Sequence, residues 1–196
     1  MRPILICSNK FQKSVFYSSL LIVFLILIPP FTNAQTKLWS MTSEGGQDRA
    51  GTIFSMDLTG SNYYEKPFTV ENSGAYPSGA LFKASNGLLY GFGSSGGIND
   101  KGVLFSFNPI GNIYNVQFDF DSINGSYPTG TLIQSNNGLL YGMTSEGGIN
   151  NCGVIFNFDP VGNVFNKLLD LDSVDGSFPQ GSLMQASNGL FYGLTK

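Results

Sequence analysis

The chain has 196 residues, with thirteen acidic against ten basic side chains, two cysteines and no histidine. The lack of histidine removes imidazole-based triads and most zinc and copper sites. The acidic balance argues against nucleic acid and anionic membrane as partners, whose usual footprint is a basic patch.

In chain order, residues 1–34 read first as a secretory signal peptide. Arg2, Lys10 and Lys13 supply the basic start, Val15 to Ile28 the apolar run, and Thr32-Asn33-Ala34 the stretch before a cut at Ala34/Gln35. The run is short for a membrane span, which takes about 20 apolar residues. Cleavage leaves seven basic against thirteen acidic residues, a net charge of −6. The expected location is secreted or cell surface, with no membrane insertion once the leader is gone.

From residue 35 the chain is one unit written repeatedly at a period of 51 residues, without a gap. Trp39, Tyr90, Tyr141 and Tyr192 fall in register, as do Gly79, Gly130 and Gly181, and Pro77, Pro128 and Pro179. Within one copy, GTLIQ (130–134), LLYGM (139–143), VIFNFD (154–159) and VFNKLLDLD (164–172) predict four strands. SNNG and PVGN are tight turns between them, and SEGGINNCG and SVDGSFPQG are long loops. No window shows a helical period. In a meander the turns alternate ends, so both long loops fall on one rim and both tight turns on the other.

Four antiparallel strands per repeat of this length predict an all-β fold, an open arc of β-propeller blades. The repeat region is 35–196: a partial blade at 35–76, blades at 77–127 and 128–178, and a partial blade at 179–196. The expectation is a truncated propeller, with the remaining blades of the same chain missing and edge strands exposed.

These residues carry a resemblance. The run of Asp175, Gly176, Pro179, Gly181, Leu183, Gly189, Tyr192, Gly193 and Thr195 resembles the GloVer tandem repeat, named for Gloeobacter and Verrucomicrobia. So do Gly138, Tyr141, Gly142, Thr144, Gly147, Gly148, Gly153, Phe156, Pro160 and Gly162. Trp39-Ser40 and Gly93 depart from the pattern. The resemblance implies an exported bacterial propeller-like repeat protein, and it carries over no catalytic residue.

The candidate site residues follow from the long-loop rim, because loops on a rigid scaffold are where binding usually sits. Tyr127 and Phe178, with Tyr76 before them, lie in the inter-blade loops and suit stacking on sugars or peptides; packing onto the next blade is the plainer alternative. Asn150 and Asn151 follow Gly148 where the copies differ. Asp119, Asp121 and Asn124, and one copy later Asp170, Asp172 and Asp175, gather hard oxygens before a glycine, chemistry that calcium accepts. Their spacing is not that of an EF-hand, and a solvated edge of the outer strand is the plainer reading. The double glycine precedes a strand rather than a helix, which argues against a phosphate loop. Cys152 aligns with Ala50 and Lys101, so no shared chemistry holds that position.

The expected function is an exported binding or adhesion scaffold for an extracellular glycan or protein. No cofactor is expected, calcium being the one candidate ion. Alternatives are a polysaccharide hydrolase or lyase using paired carboxylates, and a purely structural spacer.

Overall fold

The structure is a computed structural model that describes residues 36–196 apart from Glu71, Asn72 and Asp175. The predicted leader lies outside the described residues. A first sheet holds β1 (Lys37–Thr42), β2 (Thr52–Asp57) and β3 (Tyr64–Pro67). A second holds β4 (Ala75–Lys83), β5 (Leu89–Ser95), β6 (Val103–Asn108) and β7 (Ile113–Asp119). A third repeats it as β8 (Ser126–Gln134), β9 (Leu140–Glu146), β10 (Val154–Asp159) and β11 (Val164–Asp170), and a fourth holds β12 (Gln180–Gln185) and β13 (Phe191–Leu194). Each strand pairs antiparallel with the next in sequence inside its sheet. The described residues contain no helix, and the fold is all-β as predicted.

The tight turns arise from Asn-Gly. Asn137 Oδ1 accepts from the Leu139 amide at 3.0 Å, and its Nδ2 donates to the Tyr141 hydroxyl at 2.8 Å. Asn86 and Asn188 make the same pair of bonds to Leu88 and Tyr90 and to Leu190 and Tyr192. NGL-x-Y is thus a self-contained turn in which one side chain satisfies a backbone donor and holds the strand aromatic.

The sheets bury both faces of their middle strands, which is why VIFNFD is apolar almost throughout. Val154, Phe156 and Phe158 are fully buried, and Asn157 on the other face is nearly so. One cluster joins the second and third sheets through Tyr90, Phe92, Phe120 and Phe156; another joins the first and second through Ile53, Phe68, Phe105 and Phe107. The first strands meet as well, β4 lying against β8 and β8 against β12.

That approach depends on glycine. Gly79 and Gly130 sit at β-bulges with φ of +77° and +71°. A Cβ on Gly79 would lie 1.9 Å from the Gly130 carbonyl oxygen, and one on Gly130 would lie 1.8 Å from that of Gly181. Polar bonds follow the same seam: the Ala80 amide donates to Thr131 Oγ1 at 2.9 Å and the Thr131 amide to Ser182 Oγ at 2.7 Å.

Three expectations are corrected. The first strand is longer than GTLIQ, because the bulge at Gly130 lets pairing resume on the far side as Ser126↔Glu146 and Pro128↔Thr144. The fourth strand ends at Asp170, and beyond it only an isolated bridge joins Asp172 to Gly176. The period of 51 slips by one residue in the first copy. β6/β7 and β10/β11 each carry a bulge that β2/β3 lacks, so Pro67 pairs where Asp119 does and Phe68 takes the place of Phe120. The Phe68 and Phe120 amides bond to the equivalent carbonyls of Gly51 and Gly102 at 3.0 and 2.9 Å.

Candidate functional site

The long loops interlock at one rim. In the loop from β9 to β10, the Gly148 amide donates to the Ser122 carbonyl of the preceding link at 2.9 Å. A Cβ on Gly147 would press on Gly125 at 2.7 Å, and one on Gly125 would press on Thr144 at 2.6 Å. The space beside the double glycine is therefore taken up by the protein itself, by backbone at Gly147 and by the Asp170 and Val154 side chains at Gly148.

The acidic candidates serve these loops. Asp119 Oδ1 accepts from the Ile98 amide at 2.9 Å, and Asp170 Oδ1 from the Ile149 amide at 3.0 Å. Asp170 also accepts from Lys167 Nζ at 2.9 Å. Burial works to raise the Asp170 carboxyl, but the Lys167 hydrogen bond, the Ile149 amide and the Lys167 charge outweigh it and hold the pKa below the usual value. Asp121 Oδ1 caps the Ile123 and Asn124 amides at 2.9 and 2.6 Å, and its Oδ2 accepts from Asn124 Nδ2 at 3.0 Å. Asp172 Oδ1 caps the Val174 amide at 2.8 Å. Asp175 lies outside the described residues. Among the described residues, no group of three or more His, Cys, Asp or Glu side chains could hold a metal ion.

The asparagines likewise hold the loop. Asn150 Nδ2 donates to the Leu171 carbonyl at 3.1 Å, and Asn151 Oδ1 accepts from the Gly147 amide at 3.0 Å. Asn99 and Asp100 do the same one copy earlier. The Cys152 thiol donates to the Asn150 carbonyl at 3.3 Å.

Tyr76, Tyr127 and Phe178 behave differently. Tyr76 and Tyr127 lie inside β4 and β8 rather than in the loops, because those strands start early; Phe178 precedes β12. All three have left-handed backbone, with φ of 50°, 54° and 51°. Their amides donate to the carbonyls of Ala50, Lys101 and Cys152 at 2.8, 2.8 and 2.9 Å. Ser94 and Ser145 hydroxyls bind the Tyr76 and Tyr127 carbonyls at 2.7 and 3.0 Å. The prolines that follow pack on Gly51, Gly102 and Gly153, where a Cβ would meet them within 2.8 Å. These contacts hold a conformation that bulky residues disfavour. Tyr76 and Phe178 are 47% and 40% exposed, while Lys101 Nζ lies 5.2 Å from the Tyr127 ring centre.

Sequence reasoning placed these aromatics on the rim but gave no sign of their backbone. It also missed the aliphatic loop tips: Ile98, Ile123, Ile149 and Val174 are 80%, 70%, 82% and 88% exposed. Their recurrence in the second and third copies was the available signal.

The Gloeobacter/Verrucomicrobia repeat family matches residues 29–196. The chain belongs to that family. Its glycine, proline and tyrosine positions are the ones that make the turns, bulges and sheet contacts described above. No curated protein matches the chain.

Proposed function

We propose that this Gloeobacter/Verrucomicrobia repeat chain is an exported scaffold of propeller-type blades that binds an extracellular glycan or protein through its long-loop rim. Residues 1–34 act as the cleaved leader. Tyr76, Tyr127 and Phe178 supply the contact, with the aliphatic loop tips around them. The supporting observation is the left-handed backbone shared by the three aromatics. An aromatic ring at a position where glycine would fit without strain costs stability, and strain of that kind concentrates at ligand sites.

Immobilised glycans and extracellular-matrix proteins, probed with the parent and with Tyr127→Gly and Phe178→Gly, test the reading. Binding should fall with each variant while the thermal midpoint holds within a few degrees. If both variants bind like the parent, the aromatics are not the contact. If the parent binds nothing, the structural-spacer alternative takes its place. An N-terminus at Gln35 on protein recovered from the medium checks the export step.

A further inference from the structure

The loop from β1 to β2 lacks the anchors that hold the other two long loops. In the second and third sheets, three side-chain bonds pin the tip of that loop to its own sheet. Asn99 and Asn150 donate to the Phe120 and Leu171 carbonyls, both at 3.1 Å. Asp100 and Asn151 accept from the Gly96 and Gly147 amides, both at 3.0 Å. Asp119 and Asp170 accept from the Ile98 and Ile149 amides at 2.9 and 3.0 Å.

All three bonds are lost together in the first sheet. At the period of the repeat, Gln47, Asp48 and Arg49 stand where Ile98, Asn99 and Asp100 do. An ionised Asp48 has no proton to donate, and Arg49 has no acceptor. Pro67, which pairs where Asp119 does, offers no side-chain oxygen. Among the described residues, no hydrogen bond or ion pair engages the side chains of Gln47, Asp48 and Arg49. All three are exposed. The tip of this loop is open even where a preceding link covers its base. The Gly97 and Gly148 amides bond to the Val70 and Ser122 carbonyls at 3.3 and 2.9 Å, yet Ile98 and Ile149 are 80% and 82% exposed.

The replacements share a chemistry. An aliphatic tip gives way to the amide of Gln47, and two anchors give way to a carboxylate and a guanidinium. Tyr76 stands next to them, its amide bonded to the carbonyl of Ala50 at 2.8 Å and its side 47% exposed. An aromatic face beside planar groups with paired donors and acceptors suits a sugar. The ring packs on the aromatic, and neighbouring hydroxyls bond to the polar groups. Asp48 and Arg49 cancel, and Glu44 leaves the loop at −1, which disfavours uronates and sulfated chains. A protein contact would favour an apolar centre, which the exchange of isoleucine for glutamine removes.

We propose that the β1–β2 loop is the specificity-determining part of the rim, and that with Tyr76 it binds a neutral polysaccharide. Gln47, Asp48 and Arg49 are freed from holding the loop and hold sugar hydroxyls instead. The inference rests on the rim reading above and narrows its ligand to one class.

Affinity electrophoresis of the chain through gels containing a neutral glucan, mannan or galactan, or the polyuronate alginate, tests this. At least one neutral polymer should retard the parent, and alginate should not. Gln47→Ile, Asp48→Asn and Arg49→Asp together give the loop the tip of the second copy. That variant should bind about tenfold or more weakly while its thermal midpoint holds or rises, because two of the three anchors return. Asp48→Ala, which removes no bond from the fold, should also weaken binding, at an unchanged midpoint. Retention of parent-like binding by the triple variant overturns the inference, as does retardation by alginate alone or binding to a matrix protein alone. In each of those cases, loss of binding in Tyr127→Gly and Phe178→Gly leaves the rim reading standing. A parent that binds no probe overturns both.

Discussion

Gly130 and Gly138 separate the two reasons for glycine in this repeat. Both have positive φ, +71° and +84°. Only Gly130 faces another sheet, where an added Cβ would lie 1.8 Å from the Gly181 carbonyl oxygen; a Cβ on Gly138 would meet nothing within 4 Å. Gly130→Ala should cost about 3 kcal/mol or more, through strain plus displacement of a neighbouring backbone. Gly138→Ala should cost about 1 kcal/mol from conformation alone. Urea unfolding of both variants distinguishes the two cases. Asp170 makes a pH prediction. Its pKa is lowered in the fold, so its contribution is present above the unfolded value and is lost as pH falls through the folded one. Asp57 acts in the same direction, its Thr59 hydrogen bond leading against a smaller effect of burial. The thermal midpoint should drop as pH falls below about 4, and Asp170→Asn should flatten part of that drop.

At the scale of the element, one missing residue explains an orphan. Gln117 is the extra residue of the β6/β7 bulge, and its Nε2 donates to Ser106 Oγ at 3.0 Å. The first sheet has no such bulge, and Ser55, at the position of Ser106, keeps a buried hydroxyl without a hydrogen-bond partner. Ser55→Ala should be neutral or stabilising by about 1 kcal/mol, since it removes an unmet desolvation cost; a clear loss in calorimetry would contradict this. The Asn-Gly turns were legible in the sequence because every interaction lies within five residues. Asn137→Ala should cost about 1 kcal/mol, and Tyr141→Phe less, in chemical denaturation. The bulges were not legible, because one extra residue in a strand leaves no mark on composition and little on alternation. That omission misaligned the first copy and put Phe68 opposite Asp119 instead of Phe120.

For the whole molecule, stability is a sum of sheet-to-sheet contacts, as in other repeat arrays. Phe156 is fully buried among Phe92, Phe120 and Phe165. Phe156→Ala should therefore cost about 3–5 kcal/mol. Phe54→Ala, the same position with no described sheet against it, should cost only about 1 kcal/mol. Comparable losses at the two sites would mean that the face of the first sheet is already covered.

The sequence by itself determined the all-β class, the repeat, the order of strands and the rim on which the long loops meet. These depend on alternation and turn chemistry, which are local, and on repetition, which averages out accident. Only the tertiary structure decided what the conserved-looking polar residues do. Asp119, Asp170, Asn150 and Asn151 looked like ligands because oxygen atoms are close in sequence; in space they are spent on amides and carbonyls about 20 residues away or across a loop. The left-handed Tyr76, Tyr127 and Phe178 were equally invisible, since nothing in an aromatic-proline pair announces positive φ. That conformation exists because a neighbouring sheet supplies the carbonyl and the glycine that hold it, and those partners are brought there by the fold.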